Sequence, residues 1–186
     1  NKIWVKREPL KIVTHHWSSN KMKGFDVYEK VDQLILSEEW RGKIEFTYIG
    51  NIPRGFKFKN TKVIKPINGK NLAKELSRHH VYITASNNEP AGMHHIEAAL
   101  SGLPIIYKNS GALPEYCKNY GVSFDSLQFI PALEKMIQNY YSYKDNLINY
   151  SNTASKMSDE YLNLFKKLID NKEEIVSKRR IFRSPL

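Results

Sequence analysis

The chain has 186 residues, 41% of them hydrophobic, and a formal net charge of +10. That length suits one domain, or one domain with an arm, and the apolar share supplies a proper core, while the charge favours anionic partners (phosphates, nucleic acid or an acidic membrane surface) without choosing among them. The single cysteine, Cys117, excludes an internal disulfide framework and is compatible with a reducing compartment; no apolar run reaches membrane-spanning length, and no signal-peptide pattern opens the chain.

Residues 1–10, with Trp4 and Arg7-Glu8-Pro9, read as a linker. Residues 11–15 read as a first strand, followed by a polar loop over 16–24. Asp26 is placed as the N-cap of a helix marked by Val27, Val31, Leu34 and Ile35. A second strand over 44–49 stops at Gly50, and a basic loop over 51–61 carries Arg54, Lys57 and Lys59. A short strand over 62–65, a turn over 66–69 and a helix through Leu72 and Leu76 lead to a fourth strand over 81–84. A central helix, a fifth strand over 105–107, a short helix over 113–119 and a sixth strand over 122–124 follow. From Ser126 the pattern is helical, with a break expected near 142–145, an amphipathic stretch over 158–169 and a basic tail with Lys178, Arg179, Arg180 and Arg183. Strands alternating with helices at this spacing predict an α/β fold, a parallel sheet with helices on both faces and a helical C-terminal extension. Ligands of such sheets bind beyond the carboxyl ends of the strands, where the loops after strands one and four emerge.

The stretch over 87–97, Asn-Asn-Glu-Pro-Ala-Gly-Met-His-His-Ile-Glu, joins strand four to the central helix. Gly102 and Pro104 end that helix. Glu89 lies in the loop and Glu97 one turn into the helix, with Gly92 allowing close backbone approach between them. Met93, Ile96, Glu97 and Leu100 are spaced as one helix face, which places a carboxylate on an apolar stripe. Either a neighbouring group bonds it, or it awaits ligand hydroxyls. The amides at Met93 and His94 would then offer an anion site at the helix start. A carboxylate for hydroxyls beside amides for phosphate suggests a nucleotide.

Three motifs carry a resemblance. Glu89 and Glu97, with Ala98 and the Gly-Leu-Pro over 102–104, resemble the E-x7-E motif of the retaining glycosyltransferases of family 4, which have the GT-B fold. Ser110-Gly111-Ala112-Leu113-Pro114-Glu115 resembles that family's Gly-Gly-hydrophobic-Pro-Glu turn, and Lys23-Gly24-Phe25-Asp26 resembles its Lys-Gly-hydrophobic-Asp opening. The resemblance implies the Rossmann-like, donor-binding half of a GT-B enzyme over residues 11–170, entered by a linker from a missing N-terminal domain and followed by a basic tail over 171–186. The start at Asn1 likewise leads us to expect an excised fragment.

By the same resemblance, Glu97 holds the donor ribose, Glu89 acts catalytically beside the transferred sugar, and Lys23 contacts the donor phosphates with Gly92, Met93 and His94. The stretch over 64–69 cradles the base. The family's arginine before that lysine has no counterpart here; His15, His16 and Trp17 occupy the region, and Ser18, Ser19 and Asn20 supply neutral donors. The implied substrates are a nucleotide-sugar such as a UDP- or GDP-sugar and a glycan or lipid acceptor, as in polysaccharide biosynthesis. No cofactor and no metal ion is expected. The implied location is the cytoplasm, including the inner face of a membrane through peripheral contact, and the isolated half is expected to be inactive.

All six histidines come as neighbours, at 15–16, 79–80 and 94–95. Adjacent strand residues point to opposite faces and no Cys or Asp joins them at ligand spacing, which argues against zinc. A competing reading is a non-catalytic Rossmann-like module that binds nucleic acid or an anionic surface through its basic loops; steep salt dependence would mark it.

Overall fold

A computed structural model describes residues 3–179. Residues 180–186 of the basic tail, with Arg180 and Arg183, lie outside the described residues. Six strands, β1 (Leu10–His16), β2 (Ile44–Gly50), β3 (Lys62–Ile64), β4 (Val81–Thr84), β5 (Ile105–Lys108) and β6 (Gly121–Phe124), form one sheet in the order β3-β2-β1-β4-β5-β6. Every neighbouring pair is parallel. Parallel strands need crossovers, and the helices α1 (Phe25–Leu34), α2 (Gly69–Leu76), α3 (His94–Leu100), α4 (Leu113–Cys117) and α5 (Phe129–Asn146) provide them or cap the sheet. This is the Rossmann-like α/β fold expected from the alternation of strands and helices.

Side chains of successive strand residues leave on opposite faces, so nearly continuous apolar strands fill two cores. On one face Ile12, Phe46, Tyr48, Ile83 and Ile106 pack with Val27 and Val31 of α1 and Leu133 and Met136 of α5. On the other, Val13, Ile49, Tyr82 and Ile105 pack with Leu72 and Leu76 of α2, Ala98 and Ala99 of α3, and Leu113 of α4. Trp4 joins the first core. Its ring meets Tyr140 edge-on at 5.6 Å, and its carbonyl accepts from the Tyr141 hydroxyl at 3.0 Å. Residues 4–10 are therefore tied into the domain and are more than a linker.

Two local expectations change. Helix α1 starts at Phe25, with Asp26 inside its first turn and Gly24 at the cap. Gly24 has φ +90°, and a Cβ there would stand 2.4 Å from Ala85, so the Lys-Gly step lets the β1 loop press against the end of β4. Helix α5 is kinked a few residues earlier than expected, at Asn139 (φ −112°, ψ 18°), and continues through 142–145, where the Lys144 ammonium donates to the Gly102 carbonyl. A second interruption follows at 150–153, before Thr153 caps α6 (Ala154–Asp170) by accepting from the Lys156 N–H at 3.2 Å.

The compact unit closes at Tyr150, and the described residues from Ser151 on belong to a second unit. Its described part is α6 and α7 (Lys172–Lys178). No helix among the described residues is long and apolar enough to cross a membrane.

Candidate functional site

The strand order reverses between β1 and β4. Pairing of β1 with β2 continues to His16 and Gly50, whereas pairing of β1 with β4 covers only Ile12–Val81 and Val13–Tyr82. Beyond Val13 the two strands part. The Tyr82 hydroxyl takes over, accepting from the His15 N–H and donating to the His15 carbonyl, both at 3.2 Å. A crevice opens there, the usual ligand position in a doubly wound sheet.

A cleft of about 320 Å³ occupies it, lined by His15, Trp17, Lys23, Asn68, Met93 and Glu97 among others. Pro66, Ile67 and Asn68, from the stretch that the family resemblance expects to cradle the base, form one wall. Lys23, Gly92, Met93, His94 and Glu97, dispersed over 75 positions (97−23+1), all reach this cleft. Helix α3 begins at its edge, and the N–H groups of a first turn have no intrahelical acceptor.

Glu89 does not line the cleft; it lies behind Gly92 and Lys23. Its carboxylate accepts from the Lys23 ammonium at 2.5 Å, with the Glu89 side chain only 8% exposed. A Cβ on Gly92 would stand 2.7 Å from both the Glu89 carboxyl carbon and the His94 ring, so glycine is required for this packing. The Ser110-Gly111-Ala112 turn holds the Glu89 loop from the other side. Gly111, at φ +59°, would put a Cβ 2.5 Å from the Glu89 backbone. The Ala112 N–H donates to the Glu89 carbonyl at 2.8 Å, and the Ser110 hydroxyl accepts from the Asn88 N–H at 2.9 Å. The third motif thus positions the first glutamate.

Glu97 is not on a core-facing stripe. The buried face of α3 is His94, His95, Ala98 and Ala99, while Met93 and Leu100 are exposed. Small alanines let the helix lie close to the sheet, and the two imidazoles fill the space beside them. Glu97 is half-exposed and accepts from His15 Nε2 at 2.9 Å. This partner was not readable from spacing, since it depends on strand order.

Four imidazoles, from two of the three neighbouring pairs, converge at the cleft. His94 stands 4.8 Å from His16, 6.3 Å from His15 and 5.0 Å from His95, between ring centres. His16 Nε2 shares a hydrogen bond with the Tyr28 hydroxyl at 2.6 Å, and His94 Nε2 one with the Thr84 hydroxyl at 2.9 Å. Burial pushes His16 well below the ordinary imidazole range, helped by His15 and Lys23. Burial likewise depresses His94, with His16 and His95 adding to it, and takes His95 to about 4. These three rings are neutral near pH 7. His94 therefore brings its backbone and a ring edge to the cleft rather than a charge, and Lys23 is the only lysine or arginine among the described lining residues. Among the described residues no group of three His, Cys, Asp or Glu could hold a metal ion.

The sequence profile of the family described as glycosyl transferases group 1 matches residues 57–154, just over half of the chain. The parallel sheet, its cleft at the strand reversal and this match define the class: the chain belongs to the glycosyl transferases group 1 family. Among solved structures it is similar to the pneumococcal O-GlcNAc transferase GtfA in complex with UDP and GlcNAc, at TM-score 0.62 and 18% identity, covering 88% of this chain and 36% of that one. It is similar to WaaG, a glycosyltransferase involved in lipopolysaccharide biosynthesis, at TM-score 0.65 and 18% identity, covering 80% of this chain and 44% of that one. It is also similar to Anabaena HepE in complex with UDP, at TM-score 0.66 and 13% identity, covering 88% of this chain and 49% of that one. At these identities the likeness is one of GT-B glycosyltransferase fold, and the chain spans less than half the length of each. No curated protein matches the chain by sequence comparison.

Proposed function

We propose that the chain is the nucleotide-sugar donor-binding half of a retaining, family 4 glycosyltransferase, which moves a sugar from a nucleoside diphosphate to a glycan or lipid acceptor. One observation carries this: Lys23, the start of α3 and Glu97 meet in a single cleft at the strand reversal. Glu97 takes the ribose hydroxyls, Pro66 to Asn68 flank the base, and Lys23 with the first amides of α3 faces the diphosphate. Lys23 has three N–H donors and gives one to Glu89, so the others serve a phosphate without breaking that pair. As the bond from the anomeric carbon to the phosphate oxygen breaks, the diphosphate keeps the electron pair. Lys23 and backbone N–H groups stabilise that charge without a metal ion. Glu89 lies beside them to receive sugar hydroxyls or steady developing positive charge. The acceptor site and part of the catalytic machinery belong to an N-terminal half, so the chain alone binds donor and turns over little.

Two of the similar structures hold UDP, which makes it the first nucleotide to try. Calorimetric titration with UDP, GDP and ADP, beside Glu97→Ala, tests the reading. Saturable binding of one nucleotide, sharply weakened in the variant and only weakly salt-dependent, supports it. Binding of polyanions with a steep salt slope, through the exposed Arg54, Lys57 and Lys59, supports the non-catalytic alternative instead.

A further inference from the structure

Glu97 reaches the cleft already engaged on one side. A carboxylate only accepts, so His15 Nε2 carries the proton and donates to Glu97 Oε2 across 2.9 Å. The imidazole is itself fixed. Its side chain is 10% exposed, the Tyr82 and His94 rings stand edge-on to it at 5.5 Å and 6.3 Å, and the Tyr82 hydroxyl holds the His15 backbone. Its Nδ1 is buried with no hydrogen-bond partner, so Glu97 is the ring's one polar outlet.

The Glu97 side chain, by contrast, is 46% exposed and borders the cleft. A glutamate on a half-exposed helix turn samples several rotamers and loses that freedom when a ligand binds. A rigid donor on one of its oxygens removes that loss in advance and leaves the remaining lone pairs for hydroxyl groups. A pair built only for stability would bury both members and use up the carboxylate.

We infer that His15 is a positioning residue for nucleotide binding: through Nε2–H it holds the Glu97 carboxylate in the orientation that receives the two ribose hydroxyls of a nucleoside diphosphate. This rests on the donor-site reading above. It also gives the end of β1 a task in a chain whose following loop lacks the family's arginine.

The test is calorimetric titration of the chain and its His15→Ala, His15→Gln, Glu97→Ala and His15→Ala/Glu97→Ala variants. The ligands are UDP, GDP, ADP and their 2′-deoxy analogues. His15→Ala weakens the preferred nucleotide about tenfold, the size of one hydrogen bond to a charged group. His15→Gln, whose amide also donates, stays within about threefold of the unaltered chain. The 2′-deoxy analogue, left with one ribose hydroxyl for Glu97, loses less to His15→Ala than the ribonucleotide does, and His15→Ala adds nothing once Glu97 is gone. Loss of both ligands by equal factors, or unchanged binding by His15→Ala where Glu97→Ala weakens it, overturns the inference alone. No nucleotide binding by the unaltered chain, or full binding by Glu97→Ala, overturns the donor-site reading and this inference with it.

Discussion

Two carboxylates of the same domain are treated in opposite ways. Asp32, on α1, is 3% exposed and saturated. It accepts from the Lys59, Asn60 and Thr61 N–H groups at 3.0, 2.8 and 2.7 Å and from the Thr61 hydroxyl at 2.6 Å. Burial works against its charge, but the Thr61 hydroxyl and the three N–H groups outweigh it and hold the carboxyl below the ordinary range. With Phe56 and Phe58 packed edge-on at 4.9 Å, Asp32 turns the irregular basic loop into a fixed element. Glu97 has one partner and borders a cleft. A carboxylate whose lone pairs are consumed by its own chain is structural, whereas one held on a single side and left half-open is prepared for a ligand.

The comparison breaks most visibly through Asp32→Ala. That change orphans three N–H groups and a hydroxyl, and we expect a loss of about 4 kcal/mol in urea unfolding. Nucleotide affinity of the folded protein then stays within about threefold, since Asp32 does not line the cleft. Glu97→Ala reverses the pattern, with nucleoside diphosphate affinity falling about 30-fold, or about 2 kcal/mol. Its cost in unfolding free energy is at most about 0.5 kcal/mol, as for other half-exposed pairs.

Acid sharpens the contrast. His16, His79, His94 and His95 are all depressed in the folded state, chiefly by burial. The unfolded chain binds their protons first, so stability is present above the ordinary value of 6.5 and falls as pH drops below it. The Asp32 contribution goes only at lower pH, below the ordinary carboxylate range, because its folded value is depressed. His95 is fully buried with both ring nitrogens unpartnered. His95→Leu should therefore gain about 1.4 kcal/mol more at pH 5.5 than at pH 7.5, read from unfolding midpoints at the two values.

Much of this was legible. Strands β1, β2, β4 and β5 are runs of β-branched and aromatic residues, and each begins and ends within a residue or two of its expected bounds. The order of strands and helices gave the parallel sheet, and the family motifs led to Lys23, Gly92, Met93 and Glu97 before their meeting place was known. What periodicity could not supply was lateral. The His15–Glu97 bond joins β1 to α3 across the strand reversal, and the Asp32 clamp joins α1 to a loop without a repeating pattern. The apolar spacing through Glu97 misled because α3 buries histidines and alanines instead of its larger apolar side chains. Asp26 misled because a 3-10 turn over Lys21–Lys23 runs directly into α1, and Gly24 rather than a side chain sets the cap.

The most direct test of the central claim is the nucleotide-induced shift in stability of Asp32→Asn and Glu97→Ala, each compared with the unaltered chain. UDP is used first, at about 100 times its dissociation constant for the unaltered chain. Binding to the folded state alone stabilises by about 2.7 kcal/mol at that concentration. The account predicts this gain for the unaltered chain and for Asp32→Asn, and less than about 1 kcal/mol for Glu97→Ala at the same UDP concentration. An undiminished gain in Glu97→Ala would contradict it.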